Sequence, residues 1–143
     1  MNYEEKLQRL KTWRKIADQQ VEIIELVKRR VHEQHLDRLT SSQKRVLSAA
    51  LAQGRNPQER IESLKRFFDE AKKRGREGRG WREGERLEAV ERDIDDLLGK
   101  ATTEIEKDTL ITYYVHYLEA WAILKSEWKE GAQCGKDISS QEP

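Results

Sequence analysis

Cysteine is almost missing from this chain of 143 residues, where Cys134 stands alone. One thiol closes no internal disulfide, which excludes a disulfide scaffold and points to a reducing, cytoplasmic setting. Proline occurs only at Pro57 and Pro143, so little interrupts helical patterning in the interior. No apolar run is long enough to span a bilayer, and the opening Met1-Asn-Tyr-Glu-Glu-Lys6 is polar and acidic, unlike a secretory signal. The expectation is a soluble intracellular protein with no membrane partner. A dominant charge is missing too: 28 Lys/Arg face 27 Asp/Glu, a net charge of +1. Strand-like alternation and internal repeats are also absent.

What the chain does have is charge of both signs. Charged residues make up 38% of it, against roughly 25% in ordinary globular domains. Leu, Ile, Val and Phe total 31 of 143, just above the share of about 20% below which chains stay disordered. The core is therefore thin, as in elongated helical proteins and subunits stabilised by neighbours. The charge is also unevenly spread. Residues 1–50 carry 11 Lys/Arg against 7 Asp/Glu, and residues 101–143 carry 4 against 8. A basic end and an acidic end would permit polyanion binding and contacts between stacked copies.

Periodicity predicts an all-α bundle of about five helices, with a long N-terminal helix and a central apolar C-terminal helix. Apolar residues at 7, 10, 16, 17, 21, 24, 27 and 31 mark the first, over Tyr3 to Leu39. Ser41 or Ser42 caps a second, Gln43–Gln53, which carries Val46, Leu47, Ala50 and Leu51 inward and stops at Gly54. Asn56-Pro57 opens a third, running to Arg74 with Ile61, Leu64, Phe67 and Phe68 buried. Gly75-Arg-Glu-Gly-Arg-Gly80 is a flexible break. A fourth, Glu83–Leu98, buries Leu87, Val90, Ile94 and Leu97 and closes at Gly99. Thr103-Glu-Ile-Glu106 reads as a capping box for the fifth. On it, Leu110, Tyr114, Tyr117, Trp121, Leu124 and Trp128 form one stripe, and Ile111, Val115, Leu118 and Ala122 a second. Two adjacent stripes suit a central helix, ending at Gly131. The domain is residues 1–131, with 132–143 a disordered tail.

Catalysis finds no support in the residues. His32 and His35 share a helical face, but a zinc site needs three or four ligands and His116 and Cys134 are remote. Glu88, Glu91, Asp93, Asp95 and Asp96 alternate with Arg86 and Arg92, the pattern of a solvated charged face. No serine has a histidine base at a recognised spacing. The expectation is a protein that is not an enzyme and needs neither cofactor nor metal. A polyanion contact has better footing. Residues 72–82 hold six basic side chains, one acid and Trp81, a flexible cationic segment able to follow a phosphate backbone and stack on a base. The other reading of Trp81 is that it folds back on the core. Lys44-Arg45 at the head of a helix could seat a phosphate.

Two segments together resemble one family, the small subunit of type III-A CRISPR effector complexes, and a third between them is similar to it. Leu39-Thr-Ser-Ser-Gln-Lys-Arg45 looks like its Leu-Thr-Thr/Ser-Ser-x-x-Arg signature at a helix head. Tyr114-Val-His-Tyr-Leu-Glu-Ala-Trp-Ala122 looks like its Tyr-x-x-Tyr-Phe-Glu-Ala-x-x-Ala helix. Leu64-Lys-Arg-Phe-Phe-Asp-Glu-Ala-Lys-Lys-Arg-Gly-Arg76 is similar to its aromatic-rich Ala-Gly-Arg segment, interrupted here by extra residues, and Lys44 stands where the family has an apolar residue. The resemblance covers about residues 36–128. It implies a non-catalytic helical subunit whose copies stack along guide RNA and target RNA beside other subunits of an effector complex. Positive side chains would grip the backbone without reading sequence. Lys44 and Arg45 match the motif, with Arg66, Lys73, Arg74, Arg76 and Arg79 as further RNA-binding candidates. Tyr114, Tyr117 and Trp121 are core by default and otherwise a protein interface. The rival reading is a helical adaptor or anti-defence protein that binds protein only.

Overall fold

The computed structural model describes residues 2–73 and 79–139, and among them every regular element is helical. The long N-terminal helix α1 (Tyr3–Gln34) is capped by Asn2, whose side chain accepts from Glu5 N at 2.8 Å. It ends earlier than Leu39, because His35 turns into the left-handed region at φ 53° and a 3₁₀ turn, Leu36–Arg38, follows. Its buried stripe is Ile16, Ile23, Val27 and Val31. Leu7, Leu10 and Val21, read from the sequence as inward, are exposed.

The second expected helix is two. Thr40, not a serine, is the cap of α2 (Ser41–Lys44), in a full capping box with Gln43. Arg45 leaves helical geometry at ψ 0°, and α3 (Val46–Ala52) follows, burying Leu47, Ala50 and Leu51. Gly54 then passes so close to the next helix that a Cβ there would overlap the Arg60 backbone nitrogen. That helix, α4 (Pro57–Lys73), has Asn56 accepting from Glu59 N at 2.9 Å and buries Ile61, Leu64, Phe68 and Ala71. A short α5 (Arg79–Arg82) and a turn lead into α6 (Arg86–Lys100), which runs through Gly99 instead of stopping at it.

The last helix, α7 (Glu104–Ser139), also runs on past Gly131, so the disordered tail expected from residue 132 does not begin there; residues 140–143 lie outside the described chain. Thr103 caps it, accepting from Glu106 N at 3.1 Å. α7 packs against α1, α2, α3, α4 and α6 and is the central element. Leu110, Ile111, Tyr114, Val115, Leu118 and Ala122 are buried on it, whereas Leu124 and Trp128, expected on the same apolar arc, are exposed.

Contacts between α1 and α7 rise together in number. Lys15 meets Glu106 at 2.6 Å, Gln20 meets Tyr117 at 2.7 Å and Lys125 meets His32 at 3.3 Å. The two longest helices therefore run parallel. α6 runs against them, with Asp93 beside Arg30 and Arg86 beside Gln34. The core between them is threaded by one polar network. Arg30 forks onto both oxygens of buried Asp93 at 2.7 and 2.9 Å, and the Tyr114 hydroxyl donates to Asp93 at 2.7 Å. Burial, then the Asp93 carboxylate, holds the Tyr114 pKa well above 10.0, so it remains a donor.

Candidate nucleic-acid interface

Trp81, which follows the basic segment in the sequence, is fixed in one corner of the bundle. Its indole is 4% exposed and donates to the Gln43 carbonyl at 3.0 Å. Phe67 of α4 meets it edge-on with centroids 6.4 Å apart, a favourable aromatic geometry. A Cβ at Gly80 would lie 2.6 Å from the end of the Gln43 side chain, which would have to shift to admit it. Arg86 completes the clamp. Its guanidinium donates to the carbonyls of Gly80 at 2.7 Å, Gln34 at 2.8 Å and His35 at 3.0 Å. The head of α2, the end of α1, α4 and the start of α5 thus meet at one place. Of the two readings of Trp81, packing in the core is the correct one, and it is not available for stacking on a base.

The cations divide by whether the fold already uses them. Arg60 joins α4 to α7 through Asp108 at 2.8 Å and Thr112 at 3.2 Å. Lys72 reaches Glu91 on α6 at 2.7 Å, a bond that raises the lysine pKa. Arg30, Arg86 and Lys15 are likewise bound by the fold. Arg45, Arg66 and Lys73 differ: each is exposed, and none is paired with a carboxylate among the described residues. They leave α2, α4 and the end of α4, on the segments that meet around Trp81. Arg79 opens α5, although nothing is described of its side chain, and Arg74 and Arg76 lie outside the described residues.

Two candidates from the sequence are corrected. Lys44 is only 8% exposed and borders a small cavity with Leu36, Leu47, Trp81, Leu118 and Glu119. Most of its side chain is packed in the interior, so it is not the open phosphate contact expected from the sequence. The phosphate seat expected beside it is closed as well, because Thr40 Oγ1 already accepts from Gln43 N at 3.2 Å. Tyr114 is fully buried and belongs to the Arg30–Asp93 network, so it forms no outer interface. Tyr117 and Trp121 are half-buried. Tyr117 accepts from Gln20 and stacks on Tyr113 at 5.8 Å, and Trp121 lies under the Lys28 ammonium at 5.2 Å.

The two histidines do not converge on a metal: His32 accepts from Lys125 and His35 caps α1. Among the described residues, no group of three or more His, Cys, Asp or Glu is placed to hold an ion, and no helix is long and apolar enough to cross a membrane. Sequence reasoning missed Asp93, Arg86 and Glu119. Each falls in a buried helical register, Asp93 between Val90, Ile94 and Leu97, which is the signal that would have found it. Comparison with protein-family models, curated proteins and solved structures finds no match for this chain.

Proposed function

We propose that this chain is a non-catalytic, RNA-binding structural subunit of a type III CRISPR ribonucleoprotein effector, contacting guide and target backbones without sequence specificity. One observation carries the reading: Arg45, Arg66 and Lys73 are exposed and make no ion pair among the described residues, on the segments that meet around Trp81, the residue that follows the basic Gly-rich run 74–80 in the sequence. Arg60, Lys72 and Arg86, by contrast, are held by internal bonds. Free cations on a rigid scaffold suit a phosphate backbone, which is read by charge and position and not by base identity. The resemblance of residues 39–45 and 114–122 to the effector small subunit supplies the biological setting.

The test is a gel shift with long single-stranded RNA. Replacing Arg45, Arg66 and Lys73 together by Glu should abolish RNA retention while the helical circular-dichroism signal stays unchanged. Undiminished retention by the folded variant would rule the reading out.

A further inference from the structure

Near the same end of α1 as the Trp81 corner lies a surface the RNA reading does not use. The last turns of α1 and the middle of α7 leave an open groove of about 540 Å³, lined by Lys28, His32, Trp121, Leu124, Lys125 and Trp128. Residues 121, 124, 125 and 128 share one face of α7, and 28 and 32 share one face of α1. Trp128 is 74% exposed and Leu124 49%. Large apolar side chains presented side by side at a concave surface are the usual makings of a docking site.

The charge around the groove selects what can dock. Among the described residues its lining contains two lysines and an imidazole and no carboxylate. Each lysine already faces a carboxylate: exposed Glu25 is 3.9 Å from Lys28, and buried Asp37 is 3.9 Å from Lys125, whose ammonium also donates to His32 at 3.3 Å. Neither set of contacts uses all three protons of an ammonium, so each lysine keeps a donor to offer. The exposed apolar cluster at the opposite end, around Trp13 and Ile105, is lined by both Glu5 and Arg9 and selects no sign of charge. Stacked nucleobases fit the Trp groove less well than a peptide does. Lys28 already covers the face of Trp121, which leaves one free indole, and Leu124 offers a base no π surface.

We infer that this groove binds an acidic peptide segment of a protein partner, with a large apolar side chain seated against Leu124 and Trp128 and its carboxylates on Lys28 and Lys125. This goes beyond the RNA-binding reading and does not depend on it.

The experiment is selection of displayed short random peptides on the full-length chain, with a Leu124→Ser/Trp128→Ser variant as counter-target. Both positions are exposed, and unchanged circular dichroism certifies the variant's fold. Enriched peptides should combine Asp or Glu with Trp, Phe or Leu, and their affinity should fall about tenfold or more in the variant. Enrichment of basic or uncharged peptides, equal binding to the variant, or no enrichment at all would each overturn the inference. So would quenching of Trp128 fluorescence by oligouridylate, which assigns the groove to nucleic acid. A self-association in sedimentation that the variant abolishes would assign it to a second copy and overturn it equally.

Discussion

Asp93 shows how one side chain can tie a bundle together. Its carboxylate takes two bonds from Arg30 of α1 and one from Tyr114 of α7 while itself belonging to α6. Asp93→Ala should therefore cost about 3–5 kcal/mol, because it strands a guanidinium and a hydroxyl in the core. Replacing Asp93 and Arg30 together by Leu and Met should cost less than Asp93→Ala alone, since no buried charge is left unpaired. Urea denaturation followed by circular dichroism measures both. Glu106 gives a pH signature. Burial alone would raise its pKa, but bonds from Lys15 and Thr102 outweigh that and hold it below the usual glutamate value. A depressed folded pKa adds stability that is complete above the unfolded value and is lost as pH falls through the folded one. Glu119 slopes the other way, because burial leaves its pKa raised despite the bond from Ser48 N. Glu106→Gln should then be less stable than the native chain at neutral pH, the gap closing below the ordinary carboxylate range. A constant gap across pH would sink that account. These networks were illegible in the sequence because residue type places Asp93 and Arg30 on the surface, and only their register beside Val90, Val27 and Val31 gives them away.

Among the elements, helices with an unbroken apolar stripe were legible and their ends were not. The inward faces of α4 and α6 follow from three/four spacing alone. Gly99 and Gly131 misled because a glycine in a helix interior costs only about 1 kcal/mol, which packing of α6 and α7 readily offsets. The reverse happened at Arg45, where no glycine or proline warns of the break between α2 and α3. That break places the Gln43 carbonyl, released at the end of a one-turn helix, where the Trp81 indole can donate to it. The corner is thus a unit made of three short pieces held by one indole. Trp81→Ala should cost about 3–5 kcal/mol through the cavity it leaves. Trp81→Phe should cost less, chiefly the unmade bond to Gln43. Chemical denaturation gives the two losses. If Trp81→Ala changed stability by less than Trp81→Phe, the indole would not be the anchor.

At the scale of the whole molecule the parallel pairing of α1 and α7 changes the meaning of the charge split. A basic first third and an acidic last third suggested two poles that could meet in stacked copies. In the fold, α1 and α7 lie side by side, and Lys15 closes on Glu106 within one chain at 2.6 Å. The two charged thirds thus lie beside each other within one chain, and a mild net charge of +1 gives no long-range pull on a polyanion. Binding to RNA must come from local, unpaired cations. That makes its salt dependence a count of them: each phosphate neutralised on a single strand contributes a log–log slope of about 0.7. If Arg45, Arg66 and Lys73 each neutralise one phosphate, replacing all three by Gln should make the slope shallower by about 2. Folding stability should hardly move, since exposed residues without partners contribute little, roughly within 0.5 kcal/mol each. Titrations of RNA binding between low and physiological salt, run on the native chain and the Gln variant, decide the matter. An unchanged slope would mean that the phosphates sit elsewhere on the molecule, on cations outside the Trp81 corner.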